Sequence, residues 1–325
     1  MIAVYCENYG PIEDAELKEM EKPVPNDDKV LVKVIASSIN FGNLAMITGH
    51  PLVARAWSGL QKSKFKIPGG DIAGRIESVG KNIRQFKPGD EVYGDLSECG
   101  WGSYAEYVCV PEQVLSRKPT NLSFEEAAAV PMAAVTALQG LRDKGKIAPG
   151  QSVLVYGASG GVGTFAVQIA KALKAEVTAV CSTRNVELMR SIGADHVIDY
   201  NKEDFIGRGQ RYDLIMAVNG YRPIRDYKHA LKYGGKYVVA GGVGKQIFEV
   251  MALGPILSLT QKHKMVNVLH KSSQDDLNYL TSLIENKKIL PVVDKRFELS
   301  EFHEAIRYYS EGHAKGKVVI TINSL

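Results

Sequence analysis

Hydrophobic and polar positions follow two different periods along the chain. In residues 1–120 the apolar positions fall in short runs with the alternation of half-buried strands, closed by glycine or proline turn signals. The clearest runs are residues 30–35, 71–79 and 103–110. This pattern predicts that the first 120 residues form a small β-barrel.

The pattern changes near residue 120, where Ser123 and Glu126 have the spacing of a helix capping box. Beyond it, apolar runs alternate with stretches of helical period, and strand–helix alternation of this kind predicts a parallel, doubly wound sheet. The predicted strands are residues 153–156, 177–181, 196–199, 214–218, 237–240 and 266–269. From about residue 291 the strand-like pattern returns, so we predict an α/β protein.

A glycine-rich loop lies directly between the strand at 153–156 and a helix with one apolar face. Backbone amides at a helix N-terminus bind phosphate oxygens, and a side chain at position 160 or 161 would hold a pyrophosphate away. The alternative is a helix-entry loop without a ligand. We predict a dinucleotide site that includes Gly157, Ser159, Gly160, Gly161, Val162 and Gly163.

The residues after the next strand favour NADPH over NADH. Ser182, Thr183 and Arg184 follow Cys181, and no acidic residue appears before Glu187. An NAD-preferring site places a carboxylate there for the ribose 2′-hydroxyl, whereas an arginine pairs with a 2′-phosphate. A surface arginine opening a helix is the alternative. Tyr200 is a second candidate for the same phosphate, or an exposed tyrosine at a strand end.

Composition and charge exclude several other classes of protein. A net charge of +4 with scattered basic residues makes no case for nucleic acid. The four cysteines, Cys6, Cys99, Cys109 and Cys181, have no metal or disulfide spacing, which indicates reduced thiols. No apolar run approaches the roughly 20 residues that a membrane span needs. We therefore expect a cytoplasmic protein without a membrane span.

Four motifs together resemble the medium-chain dehydrogenases/reductases, and within them the zinc-free quinone oxidoreductases. They are residues 86–92, 102–107, 157–163 and 192–195. Residues 54–76 and 312–319 look most like the reticulon-interacting mitochondrial oxidoreductases and chloroplast-envelope enone reductases. The resemblance implies a GroES-like β-barrel catalytic domain (1–120 with 290–325) and a Rossmann domain (121–289), with NADPH in the cleft between them. By analogy it also implies a homodimer.

Zinc-binding members of this superfamily carry Cys-x-x-Asp and Gly-His-Glu motifs for the catalytic metal. At those positions this chain has Asn40 to Asn43 and Gly69 to Asp71, and Asp71 alone cannot replace three protein ligands. We therefore expect no metal. Without a Lewis acid the acceptor must already be electrophilic, which indicates a quinone or a conjugated enone as hydride acceptor.

The resemblance also implies residues on the nicotinamide side of the site. Asn40 and Thr136 match cleft-facing positions of the family; the alternatives are a turn-stabilising asparagine and a core threonine. At the carboxyl edge of the predicted sheet the candidates are Val218, Asn219, Gly241 and Gly242, which could also form plain turns. Lys317 is a candidate cofactor contact or a solvated lysine. The rival function is an NADPH-binding redox sensor or structural protein without turnover.

Overall fold

The structure is a computed structural model that describes residues 1–325 except 242–245, 247, 253, 255–262 and 323–325. The chain divides into two compact units. The first unit comprises Met1–Val135, Lys271–Glu285 and Pro291–Leu325, and the second comprises Thr136–His270 and Asn286–Leu290. Both units mix helices and strands, which confirms the predicted α/β class.

The first unit is built largely of antiparallel strands. Its strands are β1 (Ile2–Tyr5), β2 (Glu16–Glu19), β3 (Lys29–Ser38), β4 (Asp71–Val79), β5 (Glu91–Asp95), β6 (Tyr107–Pro111), β7 (Leu115–Arg117), β14 (Val293–Glu298) and β15 (Lys317–Thr321). Seven of these form one sheet, in which the order along the main path is β14-β15-β3-β4-β5-β7 and β6 pairs with β3. The C-terminal strand β15 therefore lies beside β3.

The strand predicted at residues 30–35 is confirmed as part of β3. Val30, Val32 and Val34 are buried in the core of the first unit, while Lys33 is exposed. The strand predicted at 103–110 begins only at Tyr107. Residues 103 and 104 instead donate their backbone N–H groups to the carbonyls of Gly69 and Pro68, because the chain turns at Gly102, whose φ is 110°.

The α-helices of the first unit, within the described residues, are short. They are α1 (Phe41–Thr48), α2 (Arg55–Ser58), α3 (Phe124–Ala128), α8 (Gln274–Glu285), α9 (Phe302–Ser310) and part of α4 (Pro131–Leu138). The predicted capping box is confirmed at α3, where the Ser123 hydroxyl accepts from the Glu126 N–H. None of the helices in the described part of the chain is long and apolar enough to cross a membrane.

The second unit contains a six-stranded parallel sheet. Its strands are β8 (Ser152–Tyr156), β9 (Glu176–Cys181), β10 (His196–Asp199), β11 (Tyr212–Ala217), β12 (Leu231–Val239) and β13 (Lys264–Asn267). They lie in the order β10-β9-β8-β11-β12-β13, so the chain reverses direction across the sheet between β8 and β11. That order is the one found in dinucleotide-binding doubly wound sheets, and the reversal point is where such sheets bind ligands.

The helices of the second unit connect these strands. They are a π-helix (Gln139–Lys144), α5 (Gly161–Ala172), α6 (Val186–Ser191) and α7 (Ile224–Ala230). The apolar face predicted for α5 is buried, with Phe165, Ala166, Ile169 and Ala170 all at 0% exposure. Packing of this face holds the start of α5 at the end of β8, as the sequence predicts.

The observed division differs from the predicted boundaries at 120 and 290. Residues 121–135 and 271–285 lie in the first unit. Polar contacts join α8 to strands of that unit. The Tyr93 hydroxyl donates to the Leu277 carbonyl at 2.8 Å, and the Ser116 hydroxyl donates to Asn278 Oδ1 at 2.6 Å. Helical periodicity alone does not indicate which unit a helix packs on, so these contacts were not predictable.

We expect Tyr93→Phe to lower the free energy of unfolding by about 1–3 kcal/mol, because it leaves the buried Leu277 carbonyl without its donor. Urea unfolding measures the change. Tyr233→Phe is the matched control, since Tyr233 is 73% exposed, and it should leave stability unchanged. Equal stability of Tyr93→Phe and the parent protein would contradict the assigned docking of α8.

Candidate cofactor site and buried polar network

Two glycines of the predicted loop are required by close approach of the backbone to other parts of the protein. Gly157 follows β8 with φ 79°, and a Cβ on it would lie 2.8 Å from the backbone nitrogen of Asn219. A Cβ on Gly163 would lie 2.4 Å from the Gly157 carbonyl oxygen. Any side chain at either position would push β8, α5 and the segment after β11 apart.

Gly160 differs from these two glycines. Its φ is −81°, which any residue can adopt, and a Cβ there would meet no protein atom nearer than the Gly157 carbonyl at 3.8 Å. Protein packing therefore does not explain the missing side chain. The first amides of α5, which begins at Gly161, lie directly after this open position, and Gly160 itself supplies no capping side chain. The loop thus fits a phosphate group that approaches the backbone closely.

The side chain of Asn185 connects this loop to the end of β9. Its Nδ2 donates to Ser159 Oγ at 2.9 Å and to Ser182 Oγ at 3.2 Å. Asn185 is 3% exposed, while both serines are half-buried. The structure thus links Ser159 and Ser182 through Asn185, a residue that the sequence analysis does not name.

Thr183 is engaged within the protein. Its hydroxyl donates to Asp199 and accepts from Asn201 Nδ2 at 3.3 Å. The Thr183 hydroxyl is the largest cause that lowers the pKa of the Asp199 carboxyl, followed among the lowering causes by the Asn201 backbone N–H. Thr183 is exposed, and its predicted contact with the cofactor stays a prediction.

Asp199 is a carboxylate that lies close to the residues after Cys181, although it comes later in the chain. It ends β10, and the parallel pairing places it opposite Cys181. The proximity of Asp199 to this region follows from the register of β10 on β9, and the order of residues along the chain does not show it. Arg184 is exposed next to this region, and Tyr200, 54% exposed, donates its backbone N–H to the Cys181 carbonyl at 3.1 Å.

The remaining candidates of the second unit lie at the carboxyl edge of its sheet. Val218 donates its backbone N–H to the Tyr156 carbonyl at 3.0 Å, and a Cβ on Gly241 would lie 2.7 Å from the Val218 carbonyl. Asn219 packs against Gly157, as described above. These residues therefore share the reversal point between β8 and β11. Gly242 lies outside the described residues.

Thr136 is a buried residue of α4 with a polar partner. Its Oγ1 lies 2.9 Å from His270 Nδ1, a residue that the sequence analysis did not single out. Thr136 is 7% exposed. The threonine is therefore both buried in a helix and hydrogen-bonded to an imidazole, so the two predicted alternatives for it are not exclusive.

Asn40 belongs to a buried polar network in the first unit. Its Nδ2 donates to Asp71 Oδ2 at 2.7 Å, and its Oδ1 accepts from Lys317 Nζ at 2.5 Å. Lys317 Nζ also lies 3.3 Å from Asp71 Oδ2. Asp71 accepts further bonds from the Ser38 hydroxyl and, at 2.8 Å, from the Met132 backbone N–H. The Asn40 amide is thus fixed from both sides.

Lys317 is 3% exposed, so its interpretation as a solvated lysine is wrong. The strand pairing of β15 with β3 brings it beside the loop after β3, which sequence distance conceals. Burial lowers the pKa of the Lys317 ammonium, and the Asp71 carboxylate acts in the opposite direction. The charge pair neutralises two groups that would be costly to bury singly.

The donor set of this network does not suit zinc. Asp71 is its single carboxylate, and a cation bound there would meet the Lys317 ammonium. Among the described residues, no group of three or more His, Cys, Asp and Glu side chains could hold a metal ion. Asn40 and Asn43 also bond to each other, since Asn43 Oδ1 accepts from the Asn40 N–H at 2.6 Å.

Comparisons with known proteins agree with this architecture. Residues 26–120 match the alcohol dehydrogenase GroES-like domain, and residues 192–320 match a family described as zinc-binding dehydrogenase. The chain is 34% identical over 335 residues to a chloroplastic quinone-oxidoreductase of Triphysaria versicolor, covering 98% of each protein. It is 33% identical over 331 residues to an NADPH-dependent alkenal/one oxidoreductase of Arabidopsis thaliana, covering 96% of this chain and 77% of that protein.

A solved structure also shares this architecture. The quinone oxidoreductase from Coxiella burnetii superimposes with a TM-score of 0.88 at 27% identity, covering 99% of both chains. Similarity at this level extends over both units of the chain. The architecture is therefore shared from end to end with proteins whose names describe reductases.

We expect Lys317→Met to lower the free energy of unfolding by about 3–5 kcal/mol, because it leaves the Asp71 carboxylate buried without its cation. In the Asp71→Asn background the same substitution should cost distinctly less, since no charge is then left unpaired. Urea unfolding of the four proteins of this cycle gives the coupling. Lys33→Met, at an exposed position of β3, is the control. Additive effects of the two substitutions would contradict the ion pair.

Proposed function

The chain belongs to the medium-chain dehydrogenase/reductase superfamily, and on that premise we propose that it transfers a hydride from NADPH to a quinone or a conjugated enone. The predicted GroES-like and Rossmann domains are both confirmed by the family matches and the structural relative. The relatives are named quinone oxidoreductase and NADPH-dependent alkenal/one oxidoreductase, which supports this reaction class.

One observation carries the cofactor assignment: the loop between β8 and α5 is open at Gly160 and leads to the unpaired first amides of α5. In the proposal these amides, from Gly161, Val162 and Gly163, hold the pyrophosphate. When bound, NADPH supplies the hydride that reduces the acceptor. The residues of the loop contribute position and positive backbone potential.

The proposed contacts to the 2′-phosphate are Ser182, Arg184 and Tyr200. The guanidinium of Arg184 is exposed at the end of β9, where it can pair with a phosphate in two hydrogen bonds. Tyr200 lies beside the same strand end through its bond to Cys181. Thr183, exposed between Ser182 and Arg184, is proposed as a further contact to the same phosphate.

Zinc-independent chemistry is the second part of the proposal. It is supported by the Asp71–Lys317 pair, which places an ammonium where a catalytic metal would need ligands. Asn40 is proposed to contact the reacting groups through an amide that Lys317 and Asp71 hold in one orientation. Thr136 is proposed to hold the nicotinamide, with His270 orienting its hydroxyl. Lys317 is proposed to contribute by holding the Asn40 amide in place.

A homodimer and a cytoplasmic location complete the proposal. The four cysteines are free thiols, which is consistent with a reducing compartment. Light scattering coupled to gel filtration measures the oligomeric state, and localisation of the tagged full chain measures the compartment. Chloroplastic relatives make another compartment the principal competing outcome.

We expect the purified protein to oxidise NADPH steadily with 9,10-phenanthrenequinone or a small enone, and to keep that rate after exhaustive treatment with a chelator. Absorbance at the NADPH maximum measures turnover, and elemental analysis measures zinc. Saturable NADPH binding without turnover on any such acceptor would favour the sensor or structural protein. Stoichiometric zinc with loss of activity on chelation would contradict the zinc-independent mechanism.

We expect Arg184→Ala to weaken NADPH binding about tenfold or more, because one charge-assisted contact worth about 1.5–3 kcal/mol is lost. NADH binding should barely change. Arg190→Ala is the matched control, since Arg190 lies on α6 paired with Glu187. Calorimetric titration with both cofactors separates the outcomes, and equal losses for NADPH and NADH would contradict the assignment of Arg184.

A further inference from the structure

The Asn185 side chain has an unusual set of partners for a buried amide. Both of its observed bonds run from Nδ2, to Ser159 Oγ at 2.9 Å and to Ser182 Oγ at 3.2 Å. Its Oδ1 is buried and has no hydrogen-bond partner. Buried amide oxygens usually find a donor within the protein, so this one needs an explanation.

The direction of these bonds decides what the two serines can do. An amide NH₂ only donates, so each serine oxygen here accepts from Asn185. Each hydroxyl proton must then point away from Asn185 and remains available to another acceptor. Ser182 does not use its hydroxyl as a helix cap, and both serines are half-buried, not enclosed. The hydroxyls of Ser159 and Ser182 are therefore two neighbouring donors with protons directed away from Asn185.

Ser159 and Ser182 lie where the proposed site would hold the phosphates of a dinucleotide. Ser159 lies in the loop before the open position Gly160, and Ser182 directly follows β9. A phosphate oxygen suits each of these hydroxyls, because it accepts a hydrogen bond and cannot donate one in return. Asn185 Oδ1, in contrast, can accept only from a donor, and a ribose hydroxyl is the donor that a dinucleotide carries beside its phosphates.

We propose that Asn185 is a positioning residue that presets Ser159 and Ser182 as donors to the cofactor's phosphates and offers Oδ1 to a ribose hydroxyl. The proposal rests on the proposed NADPH site and adds a residue to it. It also explains why a side chain at the start of a helix is not used to cap that helix. Arg184 then supplies charge, and Asn185 supplies the orientation of neutral donors.

Asn185→Asp gives the sharpest test, because an ionised carboxylate has the same shape and only accepts. The two serine protons should turn toward it, and NADPH affinity should fall by about a hundredfold or more. Asn185→Ala removes the orientation without adding charge and should cost about tenfold. NADPH fluorescence titration measures both dissociation constants, and the melting temperature of the free protein reports folding.

A double-mutant cycle separates positioning from a general structural role. In a Ser159→Ala, Ser182→Ala background, Asn185→Ala should reduce NADPH affinity distinctly less than in the parent protein, because the hydroxyls it orients are gone and only the contact of Oδ1 with the ribose is lost. A structural role would reduce affinity equally in both backgrounds. Gln168→Ala is the matched control: Gln168 is also a buried amide of the second unit, bonded to Leu290, and its loss should lower stability without changing affinity.

The outcomes also distinguish this inference from the function on which it rests. If the unaltered protein takes up no NADPH, the proposed function is wrong and the inference falls with it. If the unaltered protein binds NADPH but Asn185→Asp binds it within about threefold as tightly, only the inference is overturned. Should Asn185→Asp fail to fold, the Asn185→Ala cycle decides the question alone.

Discussion

The close approach of three backbone segments at one end of the parallel sheet determines most of what the second unit can do. Gly157 lies against the segment after β11, and Gly163 lies against the Gly157 carbonyl. These contacts fix the start of α5 at the end of β8, beside the reversal point of the sheet. Only after the backbone is fixed in this way does the open position at Gly160 become a place for a phosphate. In the proposal, the serines, Asn185 and Arg184 act around a site that the glycines create.

The two units differ in whether their buried polar groups find hydrogen-bond partners within the protein. In the first unit a lysine, a carboxylate and an amide satisfy one another inside the protein, which leaves Asn40 rigid and Asp71 neutralised. In the second unit a buried amide oxygen and two hydroxyl protons are left for something outside the chain. The first arrangement supports the proposed zinc-independent chemistry, and the second supports the proposed cofactor site. A hydride transfer to an already electrophilic acceptor needs both features and little else from the protein.

Local signals in the sequence predicted the parts of this arrangement that depend on neighbouring residues. The glycine loop, the apolar face of α5 and the capping box at Ser123 were predicted because each spans only a few residues along the chain. The roles of Lys317, Asp199 and α8 were not, since each depends on pairing between distant segments. Lys317 reaches Asn40 only because β15 lies beside β3, and Asp199 reaches Thr183 only through the register of β10 on β9. The orientation of Asn185 depends on hydrogen-bond partners that no spacing reveals.

The most direct test of the account is the NADPH affinity of Gly160→Ala, measured by calorimetry beside its melting temperature. The nearest protein atom to the added methyl group is the Gly157 carbonyl oxygen, at an ordinary contact distance of 3.8 Å, and the backbone there is acceptable to alanine. Stability should therefore be unchanged, while a phosphate held at the start of α5 should be pushed away and affinity should fall by at least about tenfold. NADPH binding as tight as that of the parent protein would contradict the placement of the cofactor at this loop.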